Sequence, residues 1–187
     1  MNHPAFVKID KETFFRLVAE APDNVRYEYV RGRIVQQQAG GTLRHARIGS
    51  RFLSTLQDRL DASRWIAVPE RGIETAVTIR YADVSVEPAS ADPDSLATAS
   101  PALIVEVLSP TSSDRDLNEK PFEYLNLPSL HAYIIASQTE PACLVWVRDE
   151  AGEFLLEPAE LRGLSEIIAV PALALVIPLA DIYRDVV

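Results

Sequence analysis

The sequence is poor in residues that build disulfides and cysteine-based zinc sites. Its 187 residues include one cysteine, Cys143, and three histidines. A single cysteine cannot form an internal disulfide, and cysteine ligands for a structural zinc ion are lacking. Leu144 and Val145 follow Cys143 directly, so we expect this thiol to be a small core side chain in a reducing compartment.

Long apolar runs are lacking as well. The longest, at residues 171–180, is too short to span a bilayer. The first ten residues contain no apolar core of the kind found in signal peptides. These features predict a soluble cytoplasmic protein that does not interact with membranes.

Positive charge is scarce. Lys and Arg together number 18 against 27 Asp and Glu, which gives a net charge of −9. This balance argues against a protein that coats nucleic acid indiscriminately, because such proteins need an excess of cations. Only three of the cations are lysines, and Lys120 alone lies far from the N-terminus. The length and the 48% hydrophobic content predict a single domain over residues 1–187 with a full core.

The spacing of apolar residues predicts an α/β fold, with a central mixed sheet flanked by helices and preceded by an N-terminal helix and hairpin. The predicted helices cover residues 10–20, 42–60, 114–127 and 179–183, with Asp10, Thr42 and Asp114 as caps and a kink at Pro121. The predicted strands cover 26–30, 33–37, 65–68, 72–76, 77–87, 102–108, 130–137, 142–148, 153–157, 166–170 and 174–177. Residues 88–101 are predicted to form a long loop.

Glu106 is the most conspicuous candidate for a functional residue. It interrupts the apolar run ALIVEVL at residues 102–108, which is typical of a central strand covered on both faces. A buried carboxylate is costly unless it is neutral, hydrogen-bonded, paired with a cation or bound to a metal. An arginine of the long helix and a divalent metal are therefore both candidate partners.

Two further candidates lie near this strand in the predicted fold. Asp83 alternates with Val84 and Val86, so its side chain points either to solvent or into a polar cleft. Lys120 follows Glu106 after a turn and a partial helix, which can return it to the end of that strand. There it could steady a phosphate, polarise a water or pair with Glu106, unless it is a solvated helix lysine.

Glu28 and His45 are the remaining candidates. Glu28 alternates with two tyrosines in the hairpin, and it either adds a third acid to the cleft or pairs with Arg26 or Arg33. His45 lies on the inward face of the first turn of the long helix. It is either a packed core residue or a group placed where a helix N-terminus attracts phosphate.

Asp83, Glu106 and Lys120 together resemble the core of the PD-(D/E)XK nucleases. The order of motifs along nearly the whole chain is similar to that of the Uma-two family of restriction endonucleases. The matching segments are YEYVRGRIV at 27–35, His45, YADVSV at 81–86, EVLSP at 106–110, Asp114, Lys120, Tyr124 and HAYII at 131–135. The resemblance implies a restriction-endonuclease-like core.

The resemblance also implies a mechanism. Asp83, Glu106 and the backbone carbonyl of Val107 would bind Mg²⁺ or Mn²⁺, and Lys120 would assist the attacking water in hydrolysing DNA phosphodiester bonds. Glu28 and His45 would belong to the same site. Cutting both strands requires two sites, so the resemblance favours a homodimer.

Two other functions stay open. Ala82 stands where the family has proline and Pro121 adjoins Lys120, which favours a non-catalytic binding or dimerisation module. A metal-dependent phosphodiesterase acting on a small substrate would use the same residues. Arginines in the hairpin and the long helix form either a local phosphate-facing patch or a solvated face. These are Arg26, Arg31, Arg33, Arg44, Arg47 and Arg51.

Overall fold

The computed structural model describes residues 8–22, 25–37, 41–108 and 115–186, with the backbone alone for 115 and 116. Its helices are α1 (Lys11–Ala19), α2 (Leu43–Arg59), α3 (Lys120–Tyr124) and α4 (Leu179–Tyr183), with a π-helical turn at Arg115–Glu119 and a 3₁₀ turn at Pro171–Leu173. Its strands are β1 (Arg26–Val30), β2 (Arg33–Gln37), β3 (Trp65–Glu74), β4 (Thr78–Pro88), β5 (Ala97–Thr98), β6 (Leu103–Val107), β7 (Ala132–Ala136), β8 (Ala142–Val147), β9 (Ala159–Arg162), β10 (Ile167–Val170) and β11 (Leu175–Pro178).

The two longest helices begin at the predicted caps. The Asp10 carboxylate accepts a hydrogen bond from the Thr13 amide at 2.8 Å, and the Thr42 hydroxyl accepts one from the His45 amide at 3.1 Å. Each bond satisfies an amide that has no partner within the helix. The predicted cap Asp114 and the turn at 109–113 lie outside the described residues.

Within the described residues, nine strands form one sheet, and this sheet is mixed, as predicted. Seven of them follow the order β2-β1-β4-β6-β7-β8-β9, and β3 and β5 join through the pairing of β3 with β4. β6 runs parallel to β7 and antiparallel to β4. All five residues of β6 are buried, which confirms the prediction of a central strand.

Apolar side chains cover both faces of this sheet. On one face, α2 and α4 pack with the β10–β11 hairpin, and Phe52 and Ile177 are fully buried. On the other face, Tyr133 stacks on Trp146 with ring centroids 5.5 Å apart, and Tyr124 meets Tyr133 edge-on at 5.4 Å. No helix in the described ranges is both long and apolar enough to cross a membrane.

Two strand predictions were wrong. Residues 65–76 were predicted as two strands, but β3 is continuous across Pro69. Glu70 takes a left-handed φ of 52°, and the pairing with β4 that includes Pro69 resumes at Arg71. Residues 153–157 form no strand, and Leu155 and Leu156 are exposed there; the partner of β8 is β9 instead. The long loop also contributes β5, which pairs with β3.

Cys143 lies in the core, as expected, with 2% of its surface exposed. Burial raises the pKa of its thiol to about 12, and the Tyr183 hydroxyl 3.7 Å away offsets this increase only in part.

Because the thiolate is the reactive species, we expect a thiol reagent to modify Cys143 in almost none of the native protein at mildly alkaline pH. The same reagent should titrate one thiol per chain in guanidinium. Fast reaction of the native protein would contradict this placement.

Candidate active site

The site forms along one side of β4, at the point where the strand that pairs with this side changes from β1 to β6. β3 pairs with the other edge of β4 along nearly its whole length. On this edge, β1 pairs with β4 at Thr78 and Ile79, whereas β6 pairs with it from Val84 to Val86. Residues 80–83 therefore lie between the end of one neighbour and the end of the next. Such a split in a sheet exposes backbone and side-chain groups that a continuous ladder would cover.

Asp83 lies in this split. Its Oδ2 accepts a hydrogen bond from the Val107 amide at 2.7 Å, so its carboxylate replaces a backbone carbonyl where the β4–β6 ladder stops. The carboxylate therefore lies beside the peptide bond that joins Glu106 to Val107. About a quarter of the Asp83 side chain, 27%, is exposed. Its carboxylate contacts the Val107 amide and the His45 ring rather than solvent alone.

Glu106 pairs with Lys120. Its Oε1 lies 2.8 Å from the lysine Nζ, and both side chains are almost completely buried. The apolar strand required a partner for this carboxylate, but the partner found is a lysine of α3 rather than an arginine of the long helix. Truncating one member of such a pair is strongly destabilising, because it leaves a buried charge behind.

His45 faces Asp83 from the first turn of α2. Its Nε2 lies 3.1 Å from Asp83 Oδ1, so the two form an ion pair when the ring is protonated. Gln138 fixes the start of this helix relative to the sheet. Its amide donates to the Leu108 carbonyl at 2.7 Å, and its side-chain oxygen accepts from the Thr42 hydroxyl at 2.6 Å. Gln138 was not among the predicted residues, although it lies only two residues after the end of β7.

Glu28 is fully buried behind the site. It accepts a hydrogen bond from Gln37 at 2.5 Å, and its Oε2 lies 3.5 Å from Arg80 Nη1. Arg26, one of its predicted partners, instead pairs with Glu70. Glu28 is thus joined to the neighbourhood of Lys120 through Arg80.

Arg80 connects β4 to the helical segment that carries Lys120. It is 2% exposed, and it donates to Glu119 and Glu123 at 2.8 Å each, the residues one before and three after Lys120. Burial lowers the pKa of Arg80, but the hydrogen bond and charge of Glu123 and the charge of Glu28 outweigh that effect and raise it. Arg80 was missed in the sequence, where its only signal is a charged residue between Thr78 and Ala82 in a mostly apolar strand.

Tyr124 completes the buried layer. Its side chain is fully buried, and its hydroxyl has no hydrogen-bond partner within the described ranges. Burial raises the pKa of Tyr124 well above its usual value, and the nearby Lys120, Glu106, Glu28 and Arg80 change it further in opposite directions. Its hydroxyl therefore stays protonated among these charges at neutral pH.

The oxygen donors of this site fit a hard divalent cation. The Asp83 carboxylate contacts the Val107 amide, the Glu106 carboxylate is paired with Lys120, and the Val107 carbonyl is a further oxygen donor of the same residue pair. Among the described residues, no group of three or more His, Cys, Asp and Glu side chains is arranged to hold a metal. Mg²⁺ is commonly bound by one or two carboxylates, with waters and substrate phosphates completing its shell. The donor set therefore suits a cation that the protein holds only in part.

Comparison with known proteins identifies the family of this chain. A family model described as "Uma2: Putative restriction endonuclease" matches residues 12–180. The chain belongs to the Uma2 family. This membership confirms the resemblance found in the sequence and indicates a nuclease of the restriction-endonuclease class, a class that generally uses divalent metals. A search of curated proteins found no match.

A solved structure shares the fold. It is a protein of Anabaena variabilis ATCC 29413 described as "a putative nuclease belonging to DUF820". The two chains align with a TM-score of 0.76 and 18% identity, over 96% of this chain and 99% of the other. This likeness confirms the predicted nuclease-like architecture of the Uma2 protein.

The buried ion pair makes a quantitative prediction. Replacing Lys120 with Met removes the ammonium beside a buried carboxylate, so we expect Lys120→Met to lower the free energy of unfolding by about 3–5 kcal/mol at neutral pH. Urea denaturation measures this loss of stability.

The double variant Glu106→Gln with Lys120→Met is the control, because it removes both charges. It should recover most of the lost stability. A single variant that is as stable as the wild type, or a double variant no better than the single one, would contradict the pairing.

Proposed function

We propose that this Uma2 protein is a metal-dependent endonuclease that hydrolyses phosphodiester bonds of DNA. The observation that carries the proposal is the Asp83 carboxylate in the β4 split, hydrogen-bonded to the amide that follows Glu106, with Lys120 paired to Glu106. Asp83 thus lies beside the peptide bond that follows Glu106, between two central strands of the sheet, and the Lys120 ammonium lies beside the Glu106 carboxylate. Restriction-endonuclease chemistry requires these three groups.

Asp83, Glu106 and the Val107 carbonyl would hold Mg²⁺ or Mn²⁺, both of which prefer oxygen ligands. When bound, a divalent cation lowers the pKa of a coordinated water and offsets negative charge on the phosphoryl oxygens. Lys120 would orient the attacking water or stabilise the charge that develops on the phosphate. Its almost complete burial strengthens that electrostatic effect, because the surrounding dielectric is low.

His45 and Glu28 would act on the position of these groups. His45 contacts Asp83 Oδ1, which leaves the other oxygen on the Val107 amide and fixes the plane of the carboxylate. Glu28 would act through Arg80. Arg80 forms ion pairs with Glu28 and with Glu119 and Glu123, which precede and follow Lys120 in the sequence. We also propose a cytoplasmic homodimer, since cleavage of both strands requires two sites.

One observation favours a second candidate, a non-catalytic binding or dimerisation module. Both acids already have partners within the protein: Asp83 has an amide and a histidine, and Glu106 has Lys120. A degenerate nuclease would keep such pairs as structural elements without binding a metal. A phosphodiesterase acting on a small substrate is the third possibility carried over from the sequence.

Plasmid cleavage tests the catalytic assignment. In Mg²⁺ or Mn²⁺ the wild type should nick supercoiled DNA, and Asp83→Asn or Glu106→Gln should each lower the rate on the order of 10²-fold or more. Glu150→Gln is the matched control, because Glu150 is exposed in the turn after β8, and it should cleave like the wild type. Equal cleavage by all four proteins would overturn the site. Hydrolysis of a small phosphodiester without DNA cleavage would identify the third possibility.

Metal binding separates the enzyme from the degenerate module. A cation that binds only the folded protein stabilises it by about 2.7 kcal/mol when its concentration is 100 times its dissociation constant. Mg²⁺ or Mn²⁺ should therefore raise the melting temperature of the wild type. Asp83→Asn should lose this increase. An identical melting curve for the wild type with and without either metal would favour the non-catalytic module.

A further inference from the structure

Three arginines line one exposed face of α2. Arg44, Arg47 and Arg51 are three and four residues apart, so they point in roughly the same direction from the helix. All three are exposed, and within residues 8–22, 25–37, 41–108 and 115–186 none forms an ion pair or a side-chain hydrogen bond. We call these three residues the α2 arginine face. Their charges are thus available to an external anion.

The chain segment that carries this face has no acidic residue. Asp and Glu make up about one residue in seven of the chain, yet none occurs from residue 29 to residue 57. The same segment carries five arginines in a protein whose net charge is −9. A local positive potential on an acidic molecule orients an approaching polyanion, because the remaining surface repels it.

The α2 arginine face begins at the candidate active site. Arg44 directly precedes His45, whose ring lies 3.1 Å from Asp83. At 1.5 Å of rise per residue, the face extends about 10 Å along the helix. It ends near a cleft between α2 and α4, where Asp58 and Asp181 join Arg51 in the lining. The positive track is therefore short, and it leads away from the Asp83 carboxylate.

We propose that the α2 arginine face binds phosphates of duplex DNA on one side of the bond that is cleaved. The inference rests on the proposed nuclease function and names the surface that holds its substrate. Guanidinium groups form paired hydrogen bonds with phosphate oxygens, and a face of this length lies along several phosphates of a duplex. It contacts the sugar–phosphate backbone and positions the DNA without reading its sequence.

Salt-dependent binding tests this surface. Fluorescence anisotropy with a labelled duplex in EDTA measures binding without cleavage. Each phosphate contact contributes about 0.9 to the slope of log K against log salt, so the triple variant Arg44→Gln, Arg47→Gln, Arg51→Gln should flatten the slope by about 3. In Mg²⁺ the same variant should raise the KM for DNA cleavage.

The control is a triple variant of three exposed arginines elsewhere, Arg16→Gln, Arg64→Gln and Arg162→Gln, which removes the same charge. It should keep the wild-type slope. Equal slopes for the two triple variants, or wild-type slope in the α2 variant while the wild type cleaves DNA, would overturn the surface but leave the nuclease intact. Failure of the wild type both to bind and to cleave would instead reject the nuclease. If the α2 variant binds duplex DNA like the wild type but loses binding to a labelled single-stranded RNA, the face binds RNA and the proposal for duplex DNA is wrong.

Discussion

The change of partner along β4 is the constraint on which the site depends. β1 covers the start of one edge and β6 covers its end, so the intervening residues must satisfy their polar groups by other means. The Asp83 carboxylate does so by taking the Val107 amide. The same split that ends the backbone ladder thereby places an acid beside Glu106. Fold and candidate chemistry share one structural cause, because a continuous β4–β6 ladder would give that amide a backbone partner.

The layer behind this split pairs buried acids with buried bases. Glu28, Glu106 and Glu123 are nearly inaccessible, and they share Arg80 and Lys120. These ion pairs recover much of the desolvation cost of the buried charges. A divalent cation bound at Asp83 and Glu106, as proposed above, would add a further positive charge beside them.

Much of the architecture follows from local patterns. The apolar run of β6 predicted a buried central strand, and the spacing of Ile48, Phe52 and Leu56 predicted α2. Asp83, Glu106 and Lys120 were predicted as site residues because their residue types conflict with their surroundings or match a family motif. Local patterns failed where distant residues decide the outcome. β3 stays continuous across Pro69 because β4 pairs on both sides of the kink.

Arg80 shows the same limit at the site. Its partners Glu119 and Glu123 lie 39 and 43 residues further along the chain, and no local pattern connects them. Gln138 was missed for a similar reason, since its partner Thr42 is 96 residues away. Both residues join separate elements, whereas the predicted residues were recognisable within their own strand or helix. Candidate residues that stand out within one element were easier to predict than residues that connect separate elements.

The burial of Cys143 has a practical consequence for studying motion in this protein. Because the sequence has no second cysteine and this thiol is enclosed by the core, the native residue need not be removed before labelling. A cysteine introduced at an exposed position such as Ser50 on α2 would be the reactive thiol of the folded chain. A fluorophore or spin label attached there would report how α2 moves relative to the sheet when a polyanion arrives, without any change to the interior.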